Sequence, residues 1–253
     1  MSSAPRHDLR TRGDSPVIRR VLTQAGWEFA LLVRNGEQLL LMIVIPIALL
    51  VAMRVGPAML TEAVSPEAII PTVVSVSVMA GSFTSLAIAT GFERRSGALR
   101  FLATTPLRRS ELLVGKLLAA GTMTGLSIVV VVTVGAILQV PGAQADSGIA
   151  VRVGTLIVGC LAWAALALLL AGSLRAEAVL AFANGIFVLA LIFGGILNPP
   201  EHMGAVGSVI EWLPSAALAD GLRNSSWVAF STLCGWAVLG AVAAAVTFRW
   251  EDR

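Results

Sequence analysis

Apolar residues along this chain gather into long unbroken runs, with little of the alternation or one-faced periodicity of a soluble fold. The runs cover residues 39–55, 71–92, 112–140, 153–174, 178–197 and 227–248. A helix of about 20 mostly apolar residues spans the hydrocarbon core of a bilayer. The pattern therefore predicts an all-α integral membrane protein of about six transmembrane helices. The first run is short and contains Pro46, and Arg54 near its end is placed to snorkel toward the outer interface. The third run is long enough to tilt or to extend past the bilayer.

The segments between runs have patterns of their own. Residues 1–16 are polar, with Pro5, Gly13 and Pro16, and read as a flexible cytoplasmic tail. Over 17–34, Ile18, Leu22, Ala25, Phe29 and Leu32 recur at steps of four and three, which is one helical face. Arg19, Arg20, Thr23 and Gln24 occupy other faces, and Trp27 suits a headgroup zone. Two placements fit: an amphipathic helix along the cytoplasmic interface, or a helix packed on the protein's own cytoplasmic surface. The loop 93–111 has room for a short helix over 98–103, entered at Gly97 and stopped before Pro106. Leu99 and Leu102 share a face with Phe101 beside them, surrounded by Arg94, Arg95, Arg100, Arg108 and Arg109. A loop that merely fixes topology accounts for the charges. It does not account for the apolar tip, which has the make-up of a docking surface. Ser110 suits an N-cap, and Glu111 suits the positive end of the next helix. Residues 198–226 hold Pro199, Pro200 and Pro214, with Val206, Val209, Ile210 and Leu213 at helical spacing. The segment is too short and broken to cross twice. A re-entrant or interfacial helical hairpin on the outer face fits it, as does an ordinary outer loop.

Composition sharpens this picture. Of 253 residues, 57% are hydrophobic and 13% charged, against about 25% charged in soluble domains. Mean hydropathy is +0.85. The net charge of +3 matters less than its distribution. Fifteen basic residues fall on one side of the predicted spans, and only Arg54, Arg152 and Arg223 on the other. The positive-inside rule then puts both termini in the cytoplasm. The first apolar run starts too far along the chain for a signal peptide. Cys160 and Cys234 lie in apolar runs and read as packing residues. No cluster of Cys, His, Asp and Glu has metal-ligand spacing.

The runs also constrain the energy source. Residues 71–92, 117–140, 178–197 and 227–248 contain no ionisable side chain. Ion-coupled carriers generally keep such groups in the bilayer, so that reading is weakened, although backbone carbonyls can bind sodium. Gly115-Lys116 is no P-loop: Ser110 stands where the first glycine belongs and Leu117 follows the lysine. No constellation supports an intramembrane enzyme, and an assembly factor is the remaining alternative. Ser75, Ser82 and Ser85 lie near one face of the second run, with Thr124 in the third and Asn184 in the fifth. They fit either a cargo path or helix packing. Gly121-x-x-x-Gly125 reads as a close helix contact, within or between subunits. A path lined mainly by Ala, Val, Leu and Met would suit amphiphilic cargo.

The stretch Glu93-Arg94-Arg95-Ser96-Gly97-Ala98-Leu99-Arg100-Phe101-Leu102-Ala103-Thr104-Thr105-Pro106, followed by Gly115-Lys116, resembles the permeases of the ABC type-2 exporters, including daunorubicin-resistance permeases. The interfacial helix, the six-run layout and the proline-containing outer segment resemble that family too. The resemblance implies that Glu93, Arg94, Arg95, Gly97, Leu99, Arg100, Phe101, Leu102, Thr105 and Pro106 form a coupling loop. That loop would dock on a separate ATPase subunit, which alone binds ATP and magnesium. It further implies a dimer of permeases in a bacterial plasma (inner) membrane, with no nucleic-acid partner. Residues 198–226, with Pro199, Pro200 and Pro214, become part of an outer gate. The expected cargo is drug-like, lipid or otherwise amphiphilic, and the expected direction is export.

Overall fold

A computed structural model describes residues 16–56, 64–98, 109–141 and 148–247. Among these residues the fold is entirely helical, without strands. Helix α1 is Val17–Arg34. Helix α2 starts at Gly36–Leu39, passes through a π-helical turn at Leu40–Val44 and continues as Ile45–Val55. Helix α3 is Pro66–Arg95, with a second π-helical stretch at Met79–Ser85. Then come α4, Arg109–Ile137; α5, Ile149–Ser173; α6, Ala176–Phe193; α7, Pro214–Asn224; and α8, Trp227–Thr247.

Among the described residues, α3, α4, α5, α6 and α8 are long and apolar enough to cross a membrane. The first expected span is present as a shorter apolar stretch, Met42–Val55. Its π-helical turn explains how Pro46 is tolerated. A proline inside a helix deprives the carbonyl four residues back of its partner, and here that carbonyl belongs to Met42. The backbone widens just before, with Ile45 N–H bonding Leu40 O. The Met42 carbonyl instead accepts the Ser127 hydroxyl from α4.

The bundle is organised around α3. The most apolar stretch of α3 is 89% buried inside the protein, against 22–44% for the other long helices. Its core residues Val73, Val76, Met79 and Phe83 pack with Trp163 and Ala167 of α5 and Ala183 of α6. Phe83 and Trp163 meet edge to face at 5.1 Å. Exposed apolar residues of the outer helices, such as Ile157, Leu189 and Val242, face away from this core, as lipid-facing positions do.

Several element limits differ from the sequence expectation by a few residues. The fifth apolar run extends to 197, but α6 ends at Phe193. Gly195 takes φ +79°, a left-handed conformation open to glycine, and a Cβ there would lie 2.7 Å from that of Ala216. Within 198–226 the longest helix is α7, Pro214–Asn224; the stretch around Val206 and Val209 forms only short helical turns, Gly204–Val206 and Gly207–Ile210, which bury Ile210 and leave Val206 and Val209 exposed. α7 buries Ala216–Ala219 and Leu222 against α3, α5 and α8. A methyl group added at Gly121 or Gly125 would meet no other part of the described chain within 4 Å. Their α4 face is therefore open, while Ala119, Ala120, Met123 and Ser127 of the same helix do the packing.

Candidate functional site

Helix α1 packs on the bundle through a face other than its most apolar one. Its sequence periodicity points Ile18, Leu22, Ala25, Phe29 and Leu32 in one direction. The face it buries is instead Val21, Gln24, Glu28 and Leu32, and Ile18 is 69% exposed. The cause lies on α4, against which α1 packs. Lys116 is 2% exposed, and a buried ammonium needs counter-charge and hydrogen bonds. Glu28 supplies one carboxylate, at 2.8 Å from Lys116 Nζ. Glu93, at the end of α3, supplies a second and also accepts from the ammonium. Gln24 Nε2 donates to Glu28 at 2.8 Å and completes the network.

Gly115 makes this approach possible. A Cβ on residue 115 would lie 2.8 Å from Gln24 Cγ, so any larger side chain would hold α1 away from α4. The adjacent Gly115-Lys116 therefore acts as a close-contact residue followed by a charge centre, a role beyond that of a helix start. One turn earlier, Glu111 accepts twice from Arg20, from Nη2 at 2.6 Å and from Nε at 3.2 Å. The hydrogen bond and charge of Glu111 hold Arg20 more firmly protonated than usual. Position in the sequence suits Glu111 to the helix dipole, whereas its carboxylate is committed to α1.

Two further arginines tie down the end of α3. Arg94 donates to the Leu174 carbonyl after α5, and Arg95 pairs with Glu177 in the first turn of α6. Glu93, Arg94 and Arg95 thus fasten the start of the loop to α4, α5 and α6 in turn. Gly97 follows with φ +75°. The remaining expected loop residues, Leu99, Arg100, Phe101, Leu102, Thr105 and Pro106, lie outside the described residues. Neither Glu28 nor the pairing of Glu93 with Lys116 is among the sequence expectations. A signal for both exists: Lys116 is the sole lysine of the chain, set inside an apolar run, and Glu28 is the one acid of the α1 sequence.

The hydroxyls proposed for a cargo path are partly brought together. Ser82 of α3 and Thr124 of α4 face each other at 3.4 Å, and both are buried between helices of the same chain. The Ser75 hydroxyl donates to Pro71 O at 2.9 Å within its own helix. The hydroxyls of Ser85, Thr84 and Thr90 are buried without a hydrogen-bond partner. The Ser85 carbonyl accepts from Gln38 at 3.4 Å. Asn184 stands apart, half-buried on α6.

The opposite end of the bundle carries a cleft of about 1180 Å³. Pro199, Pro200, Trp212, Asp220 and Arg223 are among its lining residues, while Pro214 is buried at the start of α7. Burial pushes the Arg223 guanidinium down to about 10, opposed by the charges of Glu201 and Asp220, so it stays cationic at neutral pH. At the same end, Arg54 donates to Leu138 O at 3.2 Å, close to the end of α4.

No match to the chain was found among curated proteins. The sequence profile of a family described as "ABC-2 family transporter protein" matches residues 60–248. That stretch runs from just before α3 through the end of α8 and includes Glu93, Lys116 and the cleft; with its buried central helix and apolar outer helices, the chain belongs to the ABC-2 family of transporter permeases.

Proposed function

We propose that this chain is the membrane subunit of an ATP-driven exporter whose ATPase is a separate polypeptide docking on the loop 93–111. The reading is carried by the three-way contact of Glu28, Lys116 and Glu93. It joins the last turn of α3, from which the loop leaves, to both α4 and α1. A push on the loop would therefore move three helices together, because packed helices shift as rigid elements. The apolar Leu99, Phe101 and Leu102 supply the docking surface, and the ATPase supplies the nucleotide and magnesium chemistry. By the distribution of basic residues, the α1 end faces the cytoplasm of a bacterial cell and the cleft faces outward. The uncovered Ile18, Leu22 and Trp27 of α1 then rest in the headgroup region.

A second permease chain completes the transport path in this proposal. The segment 198–226 serves as the outer gate, and the apolar lining suits drug-like or lipid-like cargo. A path along Ser82 and Thr124 would require α3 and α4 to part. The test is co-purification with the cognate ATPase. Leu99→Asp or Leu102→Asp is expected to abolish capture, and full retention of the ATPase by both variants would overturn the docking assignment. Transport by the purified chain under an ion gradient without ATP would favour an ion-coupled carrier instead.

A further inference from the structure

At the cleft end, two separate parts of the chain converge on one side chain. Arg223 sits in the last turn of α7 and reaches out of the 198–226 segment. Its Nε and Nη2 donate to Thr72 Oγ1, at 3.2 and 2.9 Å, near the start of α3. Its Nη1 donates to Gly195 O at 3.4 Å, and Nη2 also donates to the Ile196 carbonyl, both just past α6. Thr72 is itself fixed, its hydroxyl donating to Ala68 O at 2.6 Å. The backbone is part of the arrangement: Arg152 of α5 donates to the Arg223 carbonyl at 3.5 Å.

We propose that Arg223 is the latch that holds the 198–226 segment closed against α3 and the end of α6. The inference rests on the reading of that segment as an outer gate. α7 cannot lift from α3 without breaking both bonds to Thr72, nor from α6 without losing the carbonyls at 195 and 196. Every acceptor named is neutral, so the latch lacks the added strength of a carboxylate partner. Asp220 and Glu201 line the cleft beside Arg223 and belong to the moving segment. When α7 leaves α3, the guanidinium passes to carboxylates that travel with it, so it is never stranded without partners. A guanidinium with a second set of acceptors on its own element suits a contact that must open and close repeatedly.

The test uses the permease reconstituted with its ATPase in nanodiscs. Cys160 and Cys234 are replaced by alanine, and Ser215→Cys places one thiol on the buried start of α7, where Ser215 is 2% exposed. Labelling by a membrane-impermeant maleimide is followed at rest and with the ATPase arrested by ADP and vanadate. The parent should label slowly at rest and faster when arrested. Arg223→Gln should raise the resting rate roughly tenfold while leaving the arrested rate unchanged. Thr72→Val, which leaves α7 untouched, should raise the resting rate in the same direction by less, and it decides the matter if Arg223→Gln does not fold. Resting rates equal to the parent's in both variants would overturn the latch while leaving the gate intact. So would an equal rise in the resting and arrested states, which marks a packing role only. A parent that labels identically at rest and when arrested would instead remove the gate reading, and the latch with it.

Discussion

The two ends of the bundle hold their helices together by different chemistry. At the α1 end, buried charge meets charge, Lys116 with Glu28 and Glu93 and Arg20 with Glu111, beside the exposed pair Arg95–Glu177 and the bond from Arg94 to the Leu174 carbonyl. At the cleft end, Arg223 is held by a hydroxyl and two backbone carbonyls, while Glu201 and Asp220 line the cleft beside it. A buried ion pair is costly to break, because each partner left behind is an uncompensated charge. A cation on neutral acceptors separates more easily, provided new acceptors are near. On the proposed reading, the contrast separates a rigid end that receives force from a releasable end that opens.

Substitutions can break or sharpen this comparison. The largest effect is expected for Lys116→Met, which leaves two carboxylates facing each other in a buried site. It should cost about 3–5 kcal/mol of stability, read by denaturation in detergent, and should weaken ATPase capture in parallel. Gly115→Leu comes next. It forces Gln24 and α1 outward at about 1–3 kcal/mol, and proteolysis of α1 should accelerate. Ser127→Ala removes the donor that satisfies the Met42 carbonyl freed by Pro46 and should cost about 1–3 kcal/mol. Glu28→Gln should cost only about 1 kcal/mol or less, since Lys116 keeps Glu93 as its counter-charge. A loss as large as that of Lys116→Met would show that the contact needs both carboxylates. The smallest loss is expected for Gly121→Ala with Gly125→Ala. No other part of the described chain meets those positions, so stability should not fall, and alanine's helix preference should raise it by about 1 kcal/mol or less per site.

The spans were legible because unbroken hydrophobicity is a local signal, and burial in lipid requires it residue by residue. The loop motif Glu93–Pro106 stands out in the sequence as apolar residues inside a charged rim, but 99–108 lie outside the described residues. The polar contact of α1 with α4 through Glu28 and Lys116 was not legible. Periodicity ranks faces by hydropathy, and the face that packs was chosen by one lysine on a helix about ninety positions away. α7 was missed because its apolar face is built largely of small alanines, and its burial comes from α3, α5 and α8 together. Arg223 counted only as one of three basic residues on the far side. Its partners Thr72, Gly195 and Ile196 are distant in sequence and two of them act through backbone carbonyls, which leave no trace in residue identity.

In the proposed complex the buried charge contact holds the loop where an ATPase can push on it. The most direct measurement places a photo-crosslinking side chain at position 102 of the reconstituted complex, with residue 116 as lysine or as methionine. A crosslink to the ATPase is expected with lysine, and its loss or marked weakening with methionine. A crosslink of equal yield in both, or no ATPase adduct in either, would contradict it.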